Sequence, residues 1–143
     1  MSRTRAGNLL SAGIVVMTVA SLLSTAASAA DHDDAASTRG RQTFETYCVL
    51  CHGSAGKGDG RGAALQKVRP SDLTASSRSD DYKVQIISNG GAFMKRSEGM
   101  PPWKTVLSRE QIADVVVYLR GMAERSDARS AAEAKARAKR EQG

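Results

Sequence analysis

The chain has 143 residues, a length that suggests one domain, and although 41% of it is hydrophobic only 4% is aromatic. Its net charge of +6 is thinly spread: Arg3 and Arg5 lie in the first thirty residues, which leaves +4, and residues 124–143 hold six basic and four acidic side chains, which leaves about +2 for the middle. So small an excess, with no stripe of interleaved aromatic and basic residues, excludes a nucleic-acid binder.

The start of the chain differs from the rest. "MSRTRAGNLL" carries the two arginines, "LLSAGIVVMTVASLL" is apolar, and "STAASAA" offers small residues at Ala27 and Ala29 or at Ser28 and Ala30. That order is the order of a secretory signal peptide. Residues 1–30 are therefore expected to be removed, so that the mature chain starts near Ala30 or Asp31. The apolar run falls short of the roughly eighteen residues of a membrane span, which makes an uncleaved anchor the weaker alternative. Thr4 separates the arginines, so this is no twin-arginine signal. The expected location is periplasmic, soluble, with no stable membrane insertion once the leader is gone.

Residues 31–37 form a short polar segment, and the folded domain is expected over 38–122. A domain of that size buries a modest fraction of its surface, and commonly relies on a disulfide, metal or cofactor. Its first helix lies in "ASTRGRQTFETYCVLCHG", capped by Ser37 or Thr38, with Phe44, Tyr47 or Cys48, and Cys51 at helical spacing. "GSAGKGDGRG" holds five glycines and reads as a loop, which continues through "QKVRPSDLT" with Pro70 stiffening it. The second helix is "SDDYKVQIISNGG", capped by Ser79 or Asp80, with Val84 and Ile86 or Ile87 inward and Asn89-Gly90-Gly91 as its stop. "AFMKRSEGMPPWKTVL" is again loop.

The clearest helix is "SREQIADVVVYLRGM": Ser108 and Gln111 form a capping box, and Ile112, Val115 or Val116, and Leu119 form the buried stripe, with Gly121 near its end. The tail, residues 123–143, is rich in Ala, Lys, Arg and Glu. It has no apolar stripe, a composition for a helical extension or for disorder, the latter favoured. The fold class is all-α, three or four helices with long loops. Loops of that length in a compact domain imply that they wrap something.

The wrapped group is indicated by Cys48-Val49-Leu50-Cys51-His52, which holds both cysteines and one of the two histidines of the chain. A disulfide across so short a loop restrains the unfolded chain little. A redox dithiol needs its cysteines at the start of a helix in a βαβ setting, and here they close a helix in a chain without strand signals. Zinc needs further ligands, and the only other histidine is His32, in the charged segment after the leader. Haem accounts for every residue. Cysteines three apart face one side of a helical turn and can both bond the vinyl groups along one porphyrin edge. The histidine that follows is carried under the ring, where its nitrogen can bind iron.

A second axial ligand is best supplied by Met100 in "GMPPW", because Pro101 and Pro102 restrict the backbone and hold the residue before them extended. Met94, in "GGAFMKRS", is the rival, with no rigid flank; either methionine has gap-filling in the core as its plain alternative. The carbonyl of Pro70 is a candidate acceptor for the other N–H of His52, equally a mere loop stiffener. Trp103 has an indole N–H for a haem propionate, or packs beside the ring. "GKGDGRG" lacks the Walker spacing and turns the chain at the haem edge.

In this order (Gly40 and Phe44, CVLCH, "GKGDG", a helix ending "SNGG", "MPPW", "LSREQIADVVVYLR") the sequence resembles the bacterial single-haem class I c-type cytochromes, over residues 38–122. The resemblance implies a small cytochrome c fold around one covalent haem c, with thioethers at Cys48 and Cys51 and iron held by His52 and Met100. It also implies first and last helices crossing near a right angle, places that Gly40, Phe44, Tyr118 and Leu119 fit. Pro70 lies farther beyond His52 than in the shortest members, and the tail after Met122 is outside the common pattern.

Iron held on both sides by the chain has no open position, which favours outer-sphere electron transfer over catalysis. The expected function is a periplasmic single-electron carrier, not an enzyme and a monomer, meeting transient redox partners: a dehydrogenase, an oxidase or another cytochrome. Lys57, Arg61, Lys95, Arg96 and Lys104 flank the expected haem edge and suit an acidic partner, or form an ordinary solvated surface. The alternatives are a haem subunit of a larger periplasmic dehydrogenase or oxidase, with the tail as docking arm, and a haem enzyme or sensor with a displaceable Met100.

Overall fold

The computed structural model describes residues 32–142, so the leader expected at residues 1–30 lies outside the described residues. The chain divides into two units, Met1–Asp34 and Ala35–Gly143, and the second is the subject below. The described residues are helical, with no strand among them, as the sequence pattern requires. Four α-helices follow in order: α1 (residues 32–47), α2 (Val49–His52), α3 (Asp80–Phe93) and α4 (Arg109–Glu141). One turn of 3-10 helix, Ala63–Leu65, sits in the first long loop.

Helix α1 is already helical at residue 32, so Ser37 and Thr38 lie inside it and neither is a cap. Ala36 explains the difference: it is buried, and burial of one more helix-forming turn outweighs the local preference of Ser and Thr for a cap. Helix α4 starts where expected. Ser108 accepts from the Gln111 N–H at 3.1 Å while the Gln111 side chain accepts from the Ser108 N–H at 2.9 Å. Its buried stripe is Ile112, Val115, Val116, Leu119 and Met122, at helical spacing throughout.

Helix α1 meets α4 at Gly40. A Cβ there would run into the backbone carbonyl of Asp114 and come to 2.9 Å from the Val115 nitrogen, so only glycine lets the two backbones approach this closely. Fully buried Phe44 follows one turn later, its ring 5.4 Å from that of Tyr118. Beside the crossing, Arg39 donates to both oxygens of buried Asp114, at 2.7 and 2.9 Å. This fork-to-fork pairing is what makes an ionised carboxylate tolerable inside the apolar stripe of α4.

Helix α3 is capped by Ser79, which accepts from the Tyr82 N–H. The expected stop at Asn89-Gly90-Gly91 is a break rather than an end. Gly90 leaves the helix at φ 81°, and the chain resumes one more turn to Phe93. The break releases the carbonyls of Ile87 and Ser88, and the "PPWK" segment takes them: the Trp103 N–H donates to Ile87 at 3.0 Å and the Lys104 N–H to Ser88 at 3.2 Å. The freed N–H of Gly91 in turn donates to the carbonyl of Met100 at 2.9 Å. A side chain at Gly90 would come within 2.9 Å of that same carbonyl and of the Pro102 nitrogen. The glycine pair is thus the seat of the segment that carries Met100.

The basic Ala-rich tail continues α4 to Glu141 with almost every side chain exposed beyond Ala123. Here the structure takes the helical alternative over the favoured disorder. Alanine, arginine, lysine and glutamate are strong helix formers, the tail inherits a nucleus from packed residues upstream, and Arg137 pairs with Glu141 at 2.9 Å one turn apart. No helix among the described residues is long and apolar enough to cross a membrane.

Candidate cofactor site

Cys48 is the N-cap of α2 and its carbonyl accepts from the N–H of His52 at 2.9 Å, so the CVLCH segment is one tight helical turn. Its last carbonyls are capped by the glycine loop folding back over it. The N–H of Gly62 donates to Leu50 at 2.8 Å, that of Gly60 to Cys51 at 3.2 Å, and that of Gly58 to His52 at 2.8 Å. Gly58 has φ 69°, and a Cβ on it would strike the Pro70 carbonyl. "GKGDG" therefore locks the cysteine–histidine turn from behind and pins the Pro70 segment alongside it.

That pinning decides which carbonyl meets the imidazole. Pro70 presents its oxygen to Gly58, and the next carbonyl along, that of Ser71, faces His52 Nδ1 at 3.3 Å. A carbonyl only accepts, so Nδ1 carries the proton and Nε2 is left with a free lone pair. Burial holds the imidazole below its ordinary value of 6.5, against a smaller opposing effect of the Ser71 carbonyl, which keeps it neutral and fit to bind a metal at neutral pH. The predicted acceptor was thus one residue off; no pattern in the sequence separates adjacent carbonyls of an extended strand.

Both cysteines are free thiols and half-buried. Burial, with the charge of Cys51 second, pushes the Cys48 thiol up to about 12. A redox dithiol depends on a thiolate stabilised below the ordinary range, so this environment speaks against that use. Among the described residues no three His, Cys, Asp or Glu side chains gather as a metal-ion cluster, which leaves zinc without a ligand set.

Cys48, Cys51, His52 and Met100 all line one cavity of about 650 Å³, floored by the core residues Phe44, Ile87, Val115 and Leu119. That is the size range of a cofactor pocket, and its lining combines apolar core side chains with a few charged and polar ones. Pro70 and Trp103 also line it, Trp103 with its ring 5.5 Å from that of Tyr47. Met94 does not line it; it caps the C-terminus of α3 instead. Of the five expected edge cations, Lys95 and Arg96 line the cavity, whereas Lys57, Arg61 and Lys104 do not; Lys104 donates to Asn89 at 3.1 Å. Sequence reasoning missed Arg69, Arg78 and Lys83, which also line it. Arg78, held 5.1 Å over the Tyr82 ring, sits at the N-terminal end of α3, where only the fold shows it turning toward the cavity.

Two thiols and a neutral imidazole on one helical turn, sharing a cavity with a methionine from a distant segment in an all-α domain, define a c-type cytochrome domain with one covalent haem c and its iron. The chain belongs to the family described as cytochrome C oxidase, cbb3-type, subunit III, which matches residues 35–119. Haem-based electron transfer is the chemistry of such domains. Among solved structures, a similar chain occurs in a reducing HAO-like protein complex of Kuenenia stuttgartiensis, with 21% identity and a TM-score of 0.53 over 61% of this chain and 43% of that chain. At that identity the likeness is one of fold, and this chain spans less than half of the other. No curated protein matches it.

Proposed function

We propose that this protein is a one-electron carrier of the periplasm, whose haem is bonded through the sulfurs of Cys48 and Cys51 and whose iron is held by His52 Nε2 and the Met100 thioether. When bound, the haem supplies a one-electron Fe(III)/Fe(II) couple. The chain supplies everything else. The glycine loop and Ser71 hold the imidazole in one tautomer and one orientation. Gly90 and Gly91 hold the Met100 segment against α3. The apolar floor keeps water from the ring, which limits reorganisation when the charge changes. The observation that carries this reading is the convergence of Cys48, Cys51, His52 and Met100 on one cavity from segments up to about fifty residues apart.

With both axial positions taken by side chains, the reduced protein is expected to show no spectral change under carbon monoxide at neutral pH. A new carbon monoxide spectrum of the native protein would move the assignment to a ligand-binding enzyme or sensor. A second role for the same carrier, as the haem subunit of a larger redox complex, is favoured by the oxidase-subunit description of its family and by the exposed helical arm of residues 124–141. The free carrier is expected to purify as a monomer meeting its partners transiently; a complex that survives purification supports the subunit.

A further inference from the structure

The segment carrying Met100 is anchored unevenly. On its C-terminal side three backbone hydrogen bonds, from Gly91, Trp103 and Lys104, tie it to α3. On its N-terminal side the Arg96 N–H donates to the Gly91 carbonyl at 2.8 Å and the Ser97 carbonyl packs on Gly91, but the N–H groups of Gly99 and Met100 make only local bonds, to the Ser97 hydroxyl at 3.1 Å and the Ser97 carbonyl at 3.5 Å. What covers this weaker side is a side chain from another loop. The amide of Gln66 lies against the Cα of Gly99, so close that a Cβ on Gly99 would overlap the amide oxygen and stand 2.8 Å from the amide carbon.

Gln66 is firmly based. It follows the 3-10 turn Ala63–Leu65, and its N–H donates to Ala63 at 3.1 Å. That turn is tied through Gly62 to Leu50, in the cysteine–histidine helix itself. Gln66 therefore bridges the segment that carries His52 and the segment that carries Met100. Its position relative to the surface is also distinctive. A second recess, of about 520 Å³, lies between the 65–68 and 96–99 loops. Gln66 and Gly99 line both this recess and the main cavity, together with Val68, Arg96 and Ser97. The contact of the Gln66 amide with Gly99 forms part of the partition between the two.

From this partition we infer that Gln66 is a positioning residue and barrier for the Met100 side of the iron: its side chain closes the recess off from the main cavity and keeps Met100 from yielding its place to small exogenous ligands. The inference rests on Met100 being the ligand, as proposed above. Without the amide, Gly99 is released on its weaker side, the recess opens into the cavity, and a diffusible base reaches the position that Met100 holds.

The test is a titration of the oxidised holoprotein with imidazole, followed by absorption, in the wild type and in Gln66→Ala, Gln66→Leu and Val106→Ala. Gln66→Ala is expected to raise the apparent affinity for imidazole about tenfold, as the loss of one contact typically shifts such an equilibrium. Gln66→Leu keeps the bulk and is expected to stay near the wild type. Val106→Ala, at a side chain that is 57% exposed and lines neither cavity, controls for general loosening and should change nothing. Should Gln66→Ala not give folded protein, Gln66→Ser reads the same effect. Unchanged imidazole affinity in the truncated variant overturns the barrier, and so does an equal rise in Gln66→Leu or Val106→Ala. A wild type with no sulfur–iron band in the far red would instead overturn the Met100 assignment on which it stands, so the two failures are told apart.

Discussion

Met100→Ala is expected to keep its covalent haem, lose the far-red sulfur–iron absorption band completely, and bind carbon monoxide when reduced. The reduction potential should fall as well. A thioether favours Fe(II) relative to nitrogen or oxygen donors, and axial ligands span about 0.8 V in haem proteins, so a drop on the order of 0.1 V or more is the expected scale. The structure gives the reason for expecting this at Met100 and not at the other nearby methionine. Met100 lines the same cavity as His52, seated by Gly90 and Gly91, whereas Met94 ends a helix outside it. Met94→Ala should therefore keep band, potential and carbon monoxide inertness. A band that survives Met100→Ala and vanishes in Met94→Ala would transfer the ligand role and leave electron transfer standing.

Gly40→Ala is the substitution with the largest expected effect on stability. The added methyl would meet the backbone of α4 at Asp114 and Val115, atoms that cannot move aside as a side-chain tip can. Overpacking of this kind costs about 3 kcal/mol, and more when backbone is the obstacle. Against the marginal stability of a small domain this is a large share, and thermal unfolding of the holoprotein should drop by roughly 15 °C. The same move separates α1 from α4 beside the Arg39–Asp114 pair and the Phe44–Tyr118 contact, so partial loss of that carboxylate's partner adds to the cost. A melting temperature within about 3 °C of the wild type would mean that the helices do not cross at Gly40 as described.

These two positions also show what kind of information a sequence exposes. Helix α4 was legible because its capping box and its apolar stripe from Ile112 to Leu119 are local patterns, and the tertiary fold agrees with them. The all-α class was legible for the same reason. Gly90 was visible as a stop signal, yet its role as a break that hands the carbonyls of Ile87 and Ser88 to Trp103 and Lys104 depends on a segment some fourteen residues away. The start of α1 was misplaced because buried Ala36 outweighs the capping preference of Ser37 and Thr38, and burial is a property of the packed state. Asp114 reads in the sequence as a polar interruption of a hydrophobic run; only the crossing of α1 brings Arg39 to it.

The candidate site divides in the same way. Cys48, Cys51 and His52 are adjacent in sequence, and their spacing carries their chemistry. Met100 is forty-eight residues from His52, and its approach to the same cavity is visible only through the proline pair that stiffens it. The Ser71 carbonyl, the cations Arg69, Arg78 and Lys83, and the Gln66 amide have no local signature. Gln66, Arg69 and Ser71 follow the glycine loop that folds back on the cysteine–histidine turn, whereas Arg78 and Lys83 come from the N-terminal end of α3.

The most direct test of the account is the mass and absorption spectrum of the protein after export in a host with haem-attachment machinery, taken after denaturation in strong denaturant. The account predicts one haem that stays with the polypeptide, together with a far-red sulfur–iron band in the native sample before denaturation. A denatured chain that has the bare polypeptide mass and no haem absorption would contradict it, and Cys48 and Cys51 would then be a simple pair of thiols free to oxidise to a disulfide.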